Sequence, residues 1–322
     1  MVIWGMVKQS IDTSHMKSSP PSEQLFPVER EYVRCVNALN RSGILTLLPN
    51  SQNLGALGID GKEYPIPTQE QVIELFAQNR ELVSRKVPQG FDNLELTPLA
   101  MPTALLIDRL KAAILKHARE IYQTRLSPSD PLVAVRVNKE KHVWIWETLK
   151  QALDTDELVY FPQAYSSTHK GLTKLEVVNN GQICAVAGWS VGLVESSPIM
   201  PQQGLGKTIG GRKQLEVGCS PNEYLHTLQA QAYQGETGKT LEDFITKFLT
   251  HLESTNEVSN DVSDNNALWC LGQYLKIPYA DCVPAGRWIR SVGRTRLDLH
   301  RSNNKKCTKF VGGSTTVRLP KP

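Results

Sequence analysis

The sequence predicts an α+β protein: a mainly helical N-terminal domain, then a C-terminal α+β domain with a small mixed sheet. Three observations carry this. Apolar residues recur at helical spacing behind recognisable caps in several segments. Short runs rich in β-favouring residues collect later in the chain, separated by Gly, Pro and Asn. Hydrophobic residues make up 40% of the 322 and charged residues 21%, which suits a packed core.

Residues 1–27 are polar, contain Ser-Ser-Pro-Pro, and read as a disordered tail. A helix is expected from about Val28, with Tyr32, Val36 and Leu39 on one face and Gly43 ending it. "GALGIDGKEYPI" suits a hairpin turning at Asp60-Gly61. Thr68 caps a helix with Gln71 as its reciprocal partner, and Pro102-Thr103 opens another in which Leu106, Leu110, Ile114 and Ile121 share a stripe. His117 lies on or near that stripe and reads as a packed or rim side chain. "VWIWETLKQAL" (143–153) is expected to be helical. Trp144 and Trp146 cannot fully share one helical face, which puts one of them at the surface or a domain contact. A boundary is placed near residue 150, giving domains 28–150 and 151–322.

In the second half, "ELVYFP" (157–162) and "ICAVAGWSVGLVE" (183–195) read as strands, the latter bent at Gly188. Thr173 with Glu176, and Ser220 with Glu223, are capping pairs. Thr240 starts the clearest helix: Leu241, Phe244, Ile245, Phe248, Leu249 and Leu252 form its buried stripe, and Glu242, Lys247 and Glu253 are expected to face out. Residues 267–322 read as short strands with long loops. No stretch is long and apolar enough for a membrane-spanning helix, and the start lacks a secretory pattern. Six scattered cysteines suit reduced thiols in a cytoplasmic protein, and no metal or cofactor is expected.

"QQGLGKTIGG" contains the letters of a phosphate-binding loop: Gly204, Gly206, Lys207 and Thr208. Such a loop cradles phosphates on backbone N–H groups, with Lys on the outer phosphates and Thr on Mg²⁺. The earlier glycine position is Pro201, which has no N–H, and Gly210-Gly211 stand where a helix should start. The motif resembles the GLGKT loop of chromatin-remodelling ATPases over about six residues. A degenerate nucleotide hydrolase is carried as an alternative, behind a glycine-rich surface loop. "GETGKT" (235–240) is better explained by Thr240 as a helix cap. "GWSVG" (188–192) spells a nucleophile elbow, but the strand-like residues after Ser190 replace the helix such an elbow needs.

The net charge of +4 is unevenly placed. Residues 286–322 hold ten Lys and Arg and one acid, Asp298, so this end is +9 on a body of −5. Arg287, Trp288, Arg290, Arg294, Arg296, His300, Arg301, Asn303, Asn304 and Lys306 form the candidate ligand surface, with guanidinium forks for carboxylates or phosphates and an indole for apolar contact.

From "WCLGQY" (269–274) through "PAGRWIRSVGRTRLDLHRSNNKKCTKFVGGSTTVRL" (284–319), the chain runs from a Trp through a basic loop, an aliphatic strand and an Asn-rich loop to Gly-Gly-Ser and a closing strand. This ending resembles C-type-lectin-like domains of the formylglycine-generating-enzyme type. Variable ligand-binding proteins of diversity-generating retroelements use the same fold. The chain has Gly313-Ser314-Thr315 where that family closes with Gly-Phe-Arg or Gly-Ser-Arg. Only Cys307 lies near the place of the enzyme's paired cysteines, so the resemblance implies a binding scaffold and not the oxidation reaction. The expected function is a bacterial, cytoplasmic ligand-binding protein whose partner is a protein or another anionic ligand. A nucleic-acid-binding accessory protein is the first alternative, and no membrane partner is expected.

Overall fold

The structure, a computed structural model, describes residues 26–117, 142–196, 200–260, 267–277, 280–289 and 296–321. It is an α+β fold. Helix α1 (Val28–Arg41) buries Cys35, Ala38 and Leu39, and Gly43 follows it at φ +72°. Strands β1 (Thr46–Leu47), β2 (Leu54–Leu57) and β3 (Glu63–Pro65) form a small antiparallel sheet that turns at Gly61. Helix α2 (Gln69–Gln78) starts with the reciprocal Thr68–Gln71 cap, and α3 (Arg80–Lys86) follows directly. Then come β4 (Phe91–Thr97) and α4 (Thr103–Lys116), whose Leu106, Leu110 and Ile114 are buried. Ile121 and most of the N-terminal tail lie outside the described residues.

Residues 143–153 are not one helix. Strand β5 (Val143–Ile145) is followed by the short α5 (Glu147–Ala152), with Trp146 between them. The alternation of Val143 and Ile145 with Trp144 and Trp146 has the period of a strand, and that local pattern prevails. Strand β6 (Leu158–Tyr160) and helix α6 (Lys174–Val178), with its Thr173–Glu176 cap, come next. Only the end of the strand expected over 183–195 forms, as β7 (Ser190–Glu195). The chain before it turns at Gly188, φ +76°, where a Cβ would lie 2.3 Å from the Tyr64 ring.

The remaining elements are the two-residue hairpin β8 (Thr208–Ile209) and β9 (Arg212–Lys213), α7 (Pro221–Leu228), β10 (Glu236–Gly238), α8 (Leu241–Thr255), and strands β11 (Ala267–Trp269), β12 (Gln273–Ile277), β13 (Ala280–Ile289), β14 (Arg296–Asn303), β15 (Val311–Gly313) and β16 (Thr315–Arg318). One antiparallel sheet has the order β10-β16-β7-β4. A second, mixed sheet runs β15-β11-β13-β12-β6, and β14 pairs along β13 with β5 parallel beside it. Sequence on both sides of residue 150 therefore builds both sheets: β4 pairs with β7, and β5 with β14. The basic end is less loop-like than its composition suggests, because β13 and β14 pair over eight residue positions.

Helix α8 packs against α1, α4, β4 and β13. Gly286 on β13 lets the Phe244 ring lie on the sheet, since a Cβ there would come within 2.3 Å of the ring. Being surrounded also corrects the expected outward face of α8. Glu242 is fully buried and accepts hydrogen bonds from Tyr160 Oη (2.6 Å), Thr103 Oγ1 (2.7 Å) and Gln273 Nε2 (2.9 Å). Glu253 holds Lys116 and contacts the buried His117. Buried carboxylates persist only with such partners. Arg212 makes a two-pronged contact with buried Glu236, at 2.8 Å on both arms, and Lys86 meets the same carboxylate at 2.7 Å. These bonds join β9, β10 and α3 under the first sheet.

Candidate functional site

The glycine-rich loop is occupied from within. Gly204 N–H and Gly206 N–H donate to the two carboxylate oxygens of Glu216 at 2.7 and 2.9 Å, and Lys213 pairs with it at 3.0 Å. These bonds hold the Glu216 carboxyl below its ordinary range, with the Gly204 amide as the largest cause. A Cβ on Gly206 would fall 2.6 Å from this carboxylate, so the glycine serves the internal anion. Thr208 enters β8, and the hairpin partner β9 follows it directly where a phosphate loop would start a helix. In the second GKT string, Thr240 caps α8 and Lys239 is buried against Glu95 at 3.3 Å. Ser190 of "GWSVG" opens β7 and accepts a hydrogen bond from Arg318.

The basic end separates into an interior and a surface part. Arg318 is buried in a direct ion pair with Asp243, the residue that also completes the Thr240 cap. Trp288 is wholly buried beside Phe248, so it belongs to the core and not to a ligand surface. The strand period explains this: Gly286 and Trp288 point toward α8, whereas Arg287 between them points away. Asn304 is also interior, donating to the Tyr165 carbonyl at 2.8 Å. Arg290 and Arg294 lie outside the described residues.

The structure brings together Arg287, Arg296, His300 and Arg301 on β13 and β14. Asp298, nearly buried, ties Arg296 at 2.7 Å and faces Arg287 at 3.8 Å. Trp144 and Trp146 stand beside these arginines, which their period-two spacing could have revealed once read as strand. They are 37% and 39% exposed, in edge-to-face contact at 5.9 Å. Arg296 lies over Trp144 at 5.1 Å and Arg301 over Trp146 at 5.2 Å, both within cation–π range. Arg301 also donates to Cys282 Sγ at 2.8 Å. The result is a sheet edge at which two guanidinium groups each lie over an indole ring.

Burial, and then the nearby Arg287 charge, pushes the His300 imidazole down to about 4, so it is neutral near pH 7. His300 Nε2, Arg287 Nε and Arg301 Nε have no hydrogen-bond partner among the described residues. Asn303 and Lys306 are exposed at the far end of β14, where Asn303 Oδ1 accepts from Lys305 N–H. There an open groove of about 920 Å³ lies between Asn303, Lys305, Tyr274, Asp281 and His169. Among the described residues no cluster of His, Cys, Asp and Glu suits a metal ion, and no helix is long and apolar enough to cross a membrane.

Comparisons with protein-family models, curated proteins and solved structures gave no match to this chain.

Proposed function

We propose that this chain is a ligand-binding protein whose recognition face is the Arg–Trp edge of β5 and β14, presented on a lectin-like C-terminal scaffold. The ligand is anionic. The observation that carries the reading is the pairing of Arg296 with Trp144 and Arg301 with Trp146 at a half-exposed edge. Each guanidinium spends one N–H inside the sheet, Arg296 on Asp298 and Arg301 on Cys282, and its remaining donors suit carboxylate or phosphate oxygens. The aromatic rings restrict the arginines before a ligand arrives, which lowers the ordering cost of binding. The face is built on strands, so its geometry is steadier than that of a loop.

The exposed indole pair also favours a second reading, a single-stranded nucleic acid whose bases stack on Trp144 and Trp146. Fluorescence anisotropy with a labelled acidic peptide and a labelled oligothymidylate separates the two. A nucleic-acid ligand loses affinity steeply as salt rises, with a slope of about −0.7 per phosphate contact. A protein-type ligand leaves the acidic peptide bound in excess oligonucleotide. The double variant Arg296→Ala/Arg301→Ala should weaken binding of the true ligand class at least about tenfold, equivalent to about 1.4 kcal/mol. Unchanged binding of both probes in that variant refutes the assigned face.

A further inference from the structure

Away from the basic face, two adjoining cavities meet at Lys247 on α8. One, of about 200 Å³, lies between α8, β4, β7 and α1; the other, of about 40 Å³, lies toward Lys239 and Phe244. Both are lined by Lys247 and Glu195. The larger has room for a compact organic molecule. Lys247 Nζ donates to the Glu195 backbone carbonyl at 3.2 Å, and among the described residues no carboxylate is within ion-pair distance of it. Thr246 is fully buried beside it, lines the same cavity, and its hydroxyl has no partner.

The neighbouring charged groups already have partners of their own, either opposite charges or hydrogen-bond donors. From β4, Glu95 holds Lys239 at 3.3 Å, and Asp92 accepts from Ser196 N–H and Oγ at 3.1 and 3.0 Å. From β7, Glu195 holds Arg212 at 2.9 Å. From α1, Arg34 holds Glu31 at 2.8 Å. His251, one turn along α8, is kept neutral by burial and by the Lys247 charge itself. The pairing leaves Lys247 as a cation without a dedicated counter-ion. Burial, followed by repulsion from Lys239, pushes its ammonium down to about 8.

We propose that Lys247 is a carbonyl-reactive amine that forms an imine with a small aldehyde or ketone admitted to the cavity beside α8. The Nζ lone pair adds to the carbonyl carbon. The nitrogen then gives up two protons and the carbonyl oxygen leaves with them as water, completing the C=N bond. Condensation needs only the free amine and a carbonyl carbon, so the ligand class is a small aldehyde or ketone. The free amine is the reactive form, and desolvation raises its share. At pH 7 an amine titrating near 8 is about 10% free, against well under about 0.1% for an ordinary lysine.

The test treats the wild-type protein with propanal and cyanoborohydride at pH 7 and follows each lysine by peptide mass mapping. Lys247 should be alkylated at least about tenfold faster than the exposed Lys305 and Lys306, and its rate should level off above about pH 8. Lys247→Arg should lose that fast fraction and leave the slow ones. If that variant does not fold, the wild-type rates still decide. Alkylation of Lys247 at or below the surface rate, or a Lys247 rate still climbing well above about pH 8, overturns the proposal.

Discussion

Replacing His300 with glutamine should remove a specific acid weakness of the fold. The ring titrates near 4 in the folded chain, against about 6.5 when free, because it is buried and faces Arg287. Its folded value is depressed, so the unfolded chain binds more protons between these limits. Stability contributed by the neutral ring is therefore complete above about pH 6.5 and is lost as the pH falls toward 4. At about 1.4 kcal/mol per pH unit the whole window is worth about 3 kcal/mol, and about 2 kcal/mol of it disappears between pH 7 and pH 4.5. Glutamine keeps a polar side chain that does not titrate. Urea unfolding of wild type and His300→Gln at the two pH values measures the difference directly. The wild type should lose about 2 kcal/mol more than the variant over this interval. Equal losses would show that His300 is not held neutral by its surroundings, and would refute its burial near the Arg287 charge.

Two further outcomes follow from the interior. Asp243→Ala leaves the Arg318 guanidinium buried without its carboxylate and removes the reciprocal half of the α8 capping box, so urea unfolding should show a loss of about 3–5 kcal/mol; Arg318→Met introduced on top should recover part of it. Glu216→Ala frees the Gly204 and Gly206 amides, whose hydrogen exchange should quicken at least about tenfold while the core strands are unaffected, and ATP should not protect them.

Much of the fold was legible because local signals agreed with the global packing. The caps at Thr68, Thr173, Ser220 and Thr240 all form, since a hydroxyl and a carboxylate or amide three residues apart satisfy the same free N–H groups in most contexts. Misreadings arose where tertiary burial overrode polarity. Glu242 looks like a surface residue and is buried, because Tyr160, Thr103 and Gln273 come from distant parts of the chain. Arg318, counted with the basic end, is buried for the same reason, paired with Asp243. Trp288 stands among arginines in the sequence, and only strand alternation separates its buried side from theirs. A helical reading of 143–153 leaves Trp144 and Trp146 without partners, whereas the strand brings them beside β14 and under Arg296 and Arg301. In the glycine-rich loop, Pro201 gave reason against a nucleotide site, while the carboxylate that fills the loop stands ten residues after Gly206 and has no spacing rule.

The inner position of β16, between β10 and β7, sets an order on assembly. Its hydrogen-bonding partners are made long before it, and until residue 318 has been synthesised the edge of β7 has nothing to pair with and Asp243 has no guanidinium. A nascent chain stopped short of that point carries an open edge and an unmatched buried charge, a combination that invites association with other chains. Folding of this sheet is in that sense a late, all-or-none closure, and truncation within 315–318 should yield insoluble material rather than a weakened but folded protein.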